Sequence, residues 1–231
     1  MIKKVINLGD TALYCDFGDV VNKETNSKVI NLFRYLTDVI EKKEIEGIIN
    51  LTPSYNKLII SLDLEIINYE KLKIFLDNIN FKDINFPSKH KKVIEIPVCY
   101  EEPFCLDLKD ISEKLKISNE EFINKHFSGD YFVYMTGFIA GMPFFGDLSK
   151  DLYLNRLKTP RVRVPSGSVG IVEQFCNIYT FESPGGWNII GKTPLKIFDK
   201  NNYLKPAMLS PGDQIKIIRI SLKEFEKLNV K

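Results

Sequence analysis

Apolar positions in the first third of the chain follow two different periods. From 25 to 42, Val29, Leu32, Phe33, Leu36, Val39 and Ile40 recur at three- and four-residue steps, which predicts an amphipathic helix with one buried face. Before it, "TALYCDF" at 11–17 reads as a strand. After it, "EGIINLTP" and "NKLIISLD" are short apolar runs parted by Pro53, Ser54 and Tyr55, the pattern of a β-hairpin. Asn68 stands where it can cap a second helix, "YEKLKIFLDNI", whose Leu72, Phe75, Leu76 and Ile79 share one side. "KVIEIPVCY" at 92–100 is a further strand. The order β-α-β-β-α-β is that of a split βαβ unit. We therefore expect a small α/β N-terminal domain over residues 1–88, a polar link near "FPSKHKK", and a second domain over 89–231.

The second domain changes character partway. "LDLKDISEKLKISNEEFINKHF" at 106–127 predicts two short helices, with Ser118 and Glu121 as a capping box for the second. From 131 onward Gly and Pro punctuate short runs such as "YFVYMT", "SVGIV", "NIYTF", "WNIIG", "LKIF" and "QIKIIRI". Many short strands between turn signals predict a β-barrel or sandwich, so the overall class is α+β. "LKEFEKL" predicts a short final helix. The two helices at 106–127 have the rhythm of a helix-turn-helix. Their second member would open on Asn119, Glu120 and Glu121, and carboxylates there would repel DNA phosphates, so we read the pair as structural.

Charge and composition narrow the function classes. With 32 basic and 30 acidic side chains in 231 residues, the formal net charge is +2. That balance provides no global field for nucleic acid or an anionic membrane. No apolar stretch is long enough to span a bilayer, and the N-terminal segment has no apolar run fit for export, so we expect a cytoplasmic protein. Cys15, Cys99, Cys105 and Cys176 form no CxxC pair, so no metal site is expected.

One motif invites a nucleotide. "GWNIIGKT" at 186–193 fits the phosphate-loop pattern G-x-x-x-x-G-K-[ST]. A phosphate loop must join a strand to a helix whose N-terminal amides ring the phosphates. Here Trp187, Asn188, Ile189 and Ile190 suit a strand, Pro194 follows Thr193, and "LKIFD" alternates like another strand, so we read the match as coincidence. "SGSVG" at 166–170 matches a nucleophile elbow on paper, but Pro165 and the strand residues after it oppose one. Three other segments do suggest a loop-built site. "GFIAGMPFFGDL" at 137–148 mixes glycines with aromatics and predicts either a bent, packed strand or a pocket wall. In an extended "PRVRVP", Arg161 and Arg163 share a face, suited to a carboxylate or phosphate as well as to plain solvation. Pro184-Gly185-Gly186 is a sharp turn before Trp187, the one Trp of the chain. His126 ends the second helix of the pair; a lone His is commonly structural, though its ordinary pKa suits acid–base work if it faces the site.

These segments carry a family resemblance. "GFIAGMPFFGDL", "TPRVRVPSGSVGI", "SPGGWNIIGKTPLKIFD" and "LSPGDQIKI" resemble, in order, the 5-oxoprolinase B-subunit family, also called the allophanate hydrolase subunit 1 or KipI family. Ala140 and Met142 stand where the family usually has Pro and Phe, and "VEQFCN" at 172–177 stands in place of its glycine-rich stretch. The resemblance implies a cyclophilin-like β-barrel as the second domain. It implies partner subunits C and A, and a complex that converts 5-oxo-L-proline to L-glutamate using ATP with Mg2+, the nucleotide bound by the complex and not assigned to this chain alone. Related proteins point to two alternatives: inhibition of a sensor histidine kinase by binding, and carboxyl transfer as in urea carboxylase. On this resemblance the expected catalytic residues are His126, Arg161 and Gln174, with Arg156, Ser168, Gly185, Gly186 and Trp187 binding substrate.

Overall fold

The computed structural model describes residues 2–81, 84 and 93–229. The chain divides into two compact units, residues 1–90 and 91–231. The polar link expected near "FPSKHKK" lies outside the described residues.

The first unit runs β1 (Lys4–Leu8), β2 (Ala12–Asp16), α1 (Lys23–Glu41), β3 (Ile48–Pro53), β4 (Lys57–Leu62) and α2 (Tyr69–Asp77). Its sheet is antiparallel in the order β1-β2-β4-β3. β4 lies between β2 and β3, so β2-α1-β3 is a split βαβ unit. The place expected for the strand at 92–100 is taken instead by β1, whose "KVINL" is only five residues long and mostly exposed. Both helices start on asparagine caps: Asn22 accepts from the Thr25 N–H at 2.8 Å, and Asn68 from the Lys71 N–H at 2.9 Å. Such caps satisfy amides that the first helical turn leaves without partners. The core packs Leu13, Cys15, Leu58 and Ile60 of the sheet against Val29, Leu32, Leu36 and Leu72 of the helices. Asn26 is buried in α1 and donates to the carbonyls of Ser54 (3.0 Å) and Tyr55 (2.7 Å), which ties the helix to the β3–β4 turn.

The second unit contains β5 (Val93–Cys99), α3 (Leu108–Leu115), α4 (Asn119–Phe127), β6 (Asp130–Thr136), β7 (Pro143–Gly146), β8 (Arg161–Val164), β9 (Ser168–Val172), β10 (Phe175–Ile178), β11 (Ser183–Gly185), β12 (Asn188–Lys192), β13 (Gln214–Ile220) and α5 (Leu222–Asn229). Seven strands close a barrel in the order β10-β7-β6-β13-β5-β12-β9, and β8 with β11 form a separate ribbon. Closure removes the edges at which an open sheet would add strands. β5 runs parallel to β13 over its whole length, from Val93 opposite Gln214 to Cys99 opposite Ile220. Ile96, Val98, Val133, Phe145, Val169, Ile171, Ile178 and Ile217 belong to the barrel core, and α3 and α4 add Ile111, Phe122 and Ile123 to it. The helix pair is therefore structural. Ser118 caps α4 by accepting from the Glu121 N–H at 3.0 Å, and Glu120 pairs with Arg219 of β13 through two hydrogen bonds of 2.5 and 3.0 Å. "LKIF" contributes only one isolated bridge, Phe198 to Ala207. Among the described residues no helix is long and apolar enough to cross a membrane.

Candidate functional site

A pocket of about 400 Å³ opens on the second unit, lined by Phe138, Met142, Phe144, Arg156, Pro160, Tyr179, Pro184, Gly185, Gly186 and Trp187. That volume lies within the range of small-molecule sites.

Its shape follows from what particular glycines allow. A Cβ at Gly185 would lie 2.1 Å from the Tyr179 hydroxyl oxygen, so only glycine lets that ring lie beneath β11. A Cβ at Gly170 would lie 2.7 Å from Asn177 Oδ1 and 2.9 Å from Trp187 Cβ. Residues 137–142 fold into a tight loop: the Gly137 N–H donates to the Met142 carbonyl at 3.0 Å, and the Thr180 hydroxyl donates to the Ala140 carbonyl at 2.8 Å. The loop leaves Phe138 70% exposed, at the mouth, and buries Met142 to 1%. Trp187 meets Phe144 edge-on, centroids 5.6 Å apart. The Leu157 N–H donates to the Gly186 carbonyl at 2.8 Å, which holds the preceding Arg156 beside the turn. The Arg156 guanidinium then lies over Gly186, with Nε 3.6 Å from where a Cβ would be.

The pocket thus gathers Arg156, Gly185, Gly186 and Trp187 from the expected site residues, together with the 137–148 wall. Among the described residues no hydrogen bond or ion pair engages the Arg156 side chain. An exposed guanidinium without a carboxylate partner, at the mouth of an aromatic cavity, is suited to bind an anion from solution. In the structure Gly185 and Gly186 act through their missing side chains.

The other four expected residues lie elsewhere. Arg161 donates to both oxygens of Asp107, at 2.9 and 2.5 Å, and Asp107 also accepts the Ile189 N–H at 2.6 Å. Arg163 Nε lies 3.6 Å from Glu182. The two-arginine face expected on β8 is therefore already matched by the chain's own carboxylates, and Arg161 holds the ribbon to the segment before α3. His126 is fully buried in the barrel core. Its Nδ1 lies 2.7 Å from the Tyr100 hydroxyl, its Nε2 3.6 Å from Cys176 Sγ, and its carbonyl accepts from Tyr131 at 2.6 Å. Burial pushes its pKa down from 6.5 to about 3. A neutral, enclosed imidazole is a core hydrogen-bonding group, which corrects the expectation that it serves as acid or base. Gln174 belongs to a different depression, with Lys114, Lys150, Tyr153 and Glu173. Ser168 is buried in β9 opposite Lys192, so no nucleophile elbow forms.

The phosphate-loop pattern is β12, and the nearest helix after it starts at Leu222. The Thr193 N–H donates to the Gly167 carbonyl at 2.9 Å. Lys192 Nζ lies over the rings of Phe104 and Phe225, 5.3 and 6.0 Å from their centroids.

Tyr179, a position the family resemblance covers but to which the sequence assigns no role, belongs to this cavity. It is 1% exposed. Burial raises the pKa of its hydroxyl, against the opposing pull of the Asn177 side chain, the Arg156 guanidinium and the Trp187 backbone N–H. The phenol is therefore neutral near pH 7 and is available as a donor.

A closed seven-stranded barrel and a split βαβ unit make up a carboxyltransferase-type fold. The family model for the carboxyltransferase domain, subdomain C and D, matches residues 3–209. A 5-oxoprolinase B-subunit of Bacillus subtilis (strain 168) is 34% identical over 96% of this chain and 95% of its own length. Another from Haemophilus influenzae is 43% identical over 58% of this chain and 61% of its own. The crystal structure of TTHA0988 superposes with a TM-score of 0.78 at 28% identity, covering 91% of this chain; this chain spans 40% of that one. The chain belongs to the 5-oxoprolinase B-subunit family.

Proposed function

We propose that this chain is one subunit of an ATP-dependent 5-oxoprolinase, converting 5-oxo-L-proline to L-glutamate. The observation that carries the reading is the unpaired Arg156 on an aromatic cavity. A small ring bearing one carboxylate needs a cation for the carboxylate and apolar walls for the ring. The wall supplies Phe144, Met142 and Trp187, and the mouth supplies Arg156. The names of the curated relatives support the same reaction.

A lactam is a poor electrophile, and ATP supplies the activation in the assembled complex. The one phosphate-loop pattern in the sequence is a strand, so it offers no ring of helix N-terminal amides for phosphates. We therefore place the nucleotide on the complex that this chain forms with subunits C and A. What this chain contributes is binding: it orients the ring, holds its carboxylate on Arg156 and keeps water from the buried face.

The test is 5-oxoproline-dependent ADP release by the reconstituted set of subunits, with each omitted in turn. Release that requires this chain and matches the glutamate formed supports the reading. Full release without this chain overturns it.

A further inference from the structure

Two adjacent glycines present different groups to the same cavity. Gly186 lies under the Arg156 guanidinium, and Gly185 lies against the Tyr179 hydroxyl. The cation and the phenol both line the same pocket.

Behind the phenol is a second polar group. Asn177 is fully buried in β10, and neither its Nδ2 nor its Oδ1 has a hydrogen-bond partner among the described residues. Buried amides without partners are uncommon and ask for an explanation. This one lies at the back of the site: its Oδ1 is near Gly170, as is Trp187 Cβ, and its side chain adjoins the Tyr179 hydroxyl. The Trp187 backbone N–H, like the Asn177 side chain, opposes the rise in the hydroxyl's pKa that burial causes. A tyrosine oxygen accepts at two positions and donates one hydrogen. With these donor groups beside its accepting side, the hydroxyl keeps its own hydrogen to give to a ligand in the cavity that Tyr179 lines.

We propose that Tyr179 donates this hydrogen to the amide oxygen of the bound ring, and that Asn177 is a positioning residue which sets the direction of the Tyr179 hydroxyl. The inference rests on the reading of the pocket given above and adds the group that reads the ring carbonyl. Arg156 holds any small carboxylate; Tyr179 separates a lactam from a ring without the carbonyl.

The experiment compares two ligands by calorimetry on the full chain assembled with its partner subunits. One is 5-oxo-L-proline. The other is cyclopentanecarboxylate, which keeps the ring and carboxylate and lacks the amide. The wild type should prefer 5-oxo-L-proline by about tenfold or more, the order of one buried hydrogen bond. Tyr179→Phe keeps the ring volume and should bring the two affinities within about threefold of each other. Arg156→Ala should weaken both ligands by similar factors. Asn177→Leu should reduce the preference in the wild-type background and change nothing further in Tyr179→Phe, a coupling that a merely structural role would not produce. If the assembly turns over 5-oxo-L-proline and Tyr179→Phe retains the full preference, this inference is overturned and the function stands. If the wild type neither binds nor turns over 5-oxo-L-proline, both fall.

Discussion

Gly185→Ala and Gly186→Ala differ by one residue in position and should differ sharply in effect. At Gly185 the new Cβ would sit 2.1 Å from Tyr179 Oη, 2.8 Å from Cζ and 3.0 Å from Cε1. Tyr179 is 1% exposed, so the ring cannot swing into solvent. Either the ring or the β8–β11 ribbon must shift by an ångström or more, and overpacking of that kind costs about 1–3 kcal/mol. At Gly186 the nearest atoms would be Arg156 Nε and Pro160 Cγ, both at 3.6 Å, which is ordinary contact. Its backbone lies outside the left-handed region, so alanine should change stability by no more than about 0.5 kcal/mol. The assay is urea unfolding followed by fluorescence of Trp187, the one Trp in the chain, which lies in the pocket itself. Adding Tyr179→Phe to Gly185→Ala removes the 2.1 Å contact and leaves the one to Cζ, so it should recover part of the loss. Equal unfolding midpoints for the two alanine variants would refute the argument that Gly185 is there to admit the Tyr179 hydroxyl.

Three further outcomes follow from the same packing. Asp107→Ala removes the partner of a guanidinium that is only 29% exposed and frees the buried Ile189 N–H, so the loss should reach about 3 kcal/mol by urea unfolding. His126 has a folded pKa of about 3 against an ordinary 6.5, so between those values the unfolded chain binds the extra proton. Its contribution is complete above about pH 6.5 and is lost as pH falls toward 3; by pH 5 the loss is about 2 kcal/mol. The fall in unfolding free energy from pH 7.5 to 5 should be smaller by that amount in His126→Gln. Lys192→Ala should lower stability by about 0.5–1 kcal/mol through its contacts with Phe104 and Phe225. Turnover by the reconstituted complex should change less than twofold; a loss of orders of magnitude would return the phosphate-loop reading.

Local signals carried much of the fold. The apolar spacing of α1 and α2, their asparagine caps and the β3–β4 hairpin are all contained in short windows. β5 is legible as a strand, but its place is not, because its partner β13 lies at the far end of the unit and only long-range pairing assigns it to the barrel. The site divides the same way. The glycine- and aromatic-rich segments announced a pocket, yet "PRVRVP" and "NRLK" give no sign of which arginine is free. That depends on Asp107, 54 residues before Arg161. His126 has the residue type of a catalyst and the position of a core residue, and burial decides between them. Tyr179 matches the family but received no role from the sequence, because its place against the cavity depends on the missing side chain at Gly185 in β11.

We propose that the Arg156 pocket takes the substrate. The most direct measurement is the KM for 5-oxo-L-proline in ADP release by the reconstituted complex, comparing wild-type chain with Arg156→Ala. Loss of a charge-assisted carboxylate contact should raise KM by about tenfold or more, with glutamate still formed in step with ADP. An unchanged KM in a folded, assembled Arg156→Ala complex would contradict the account and place the substrate elsewhere.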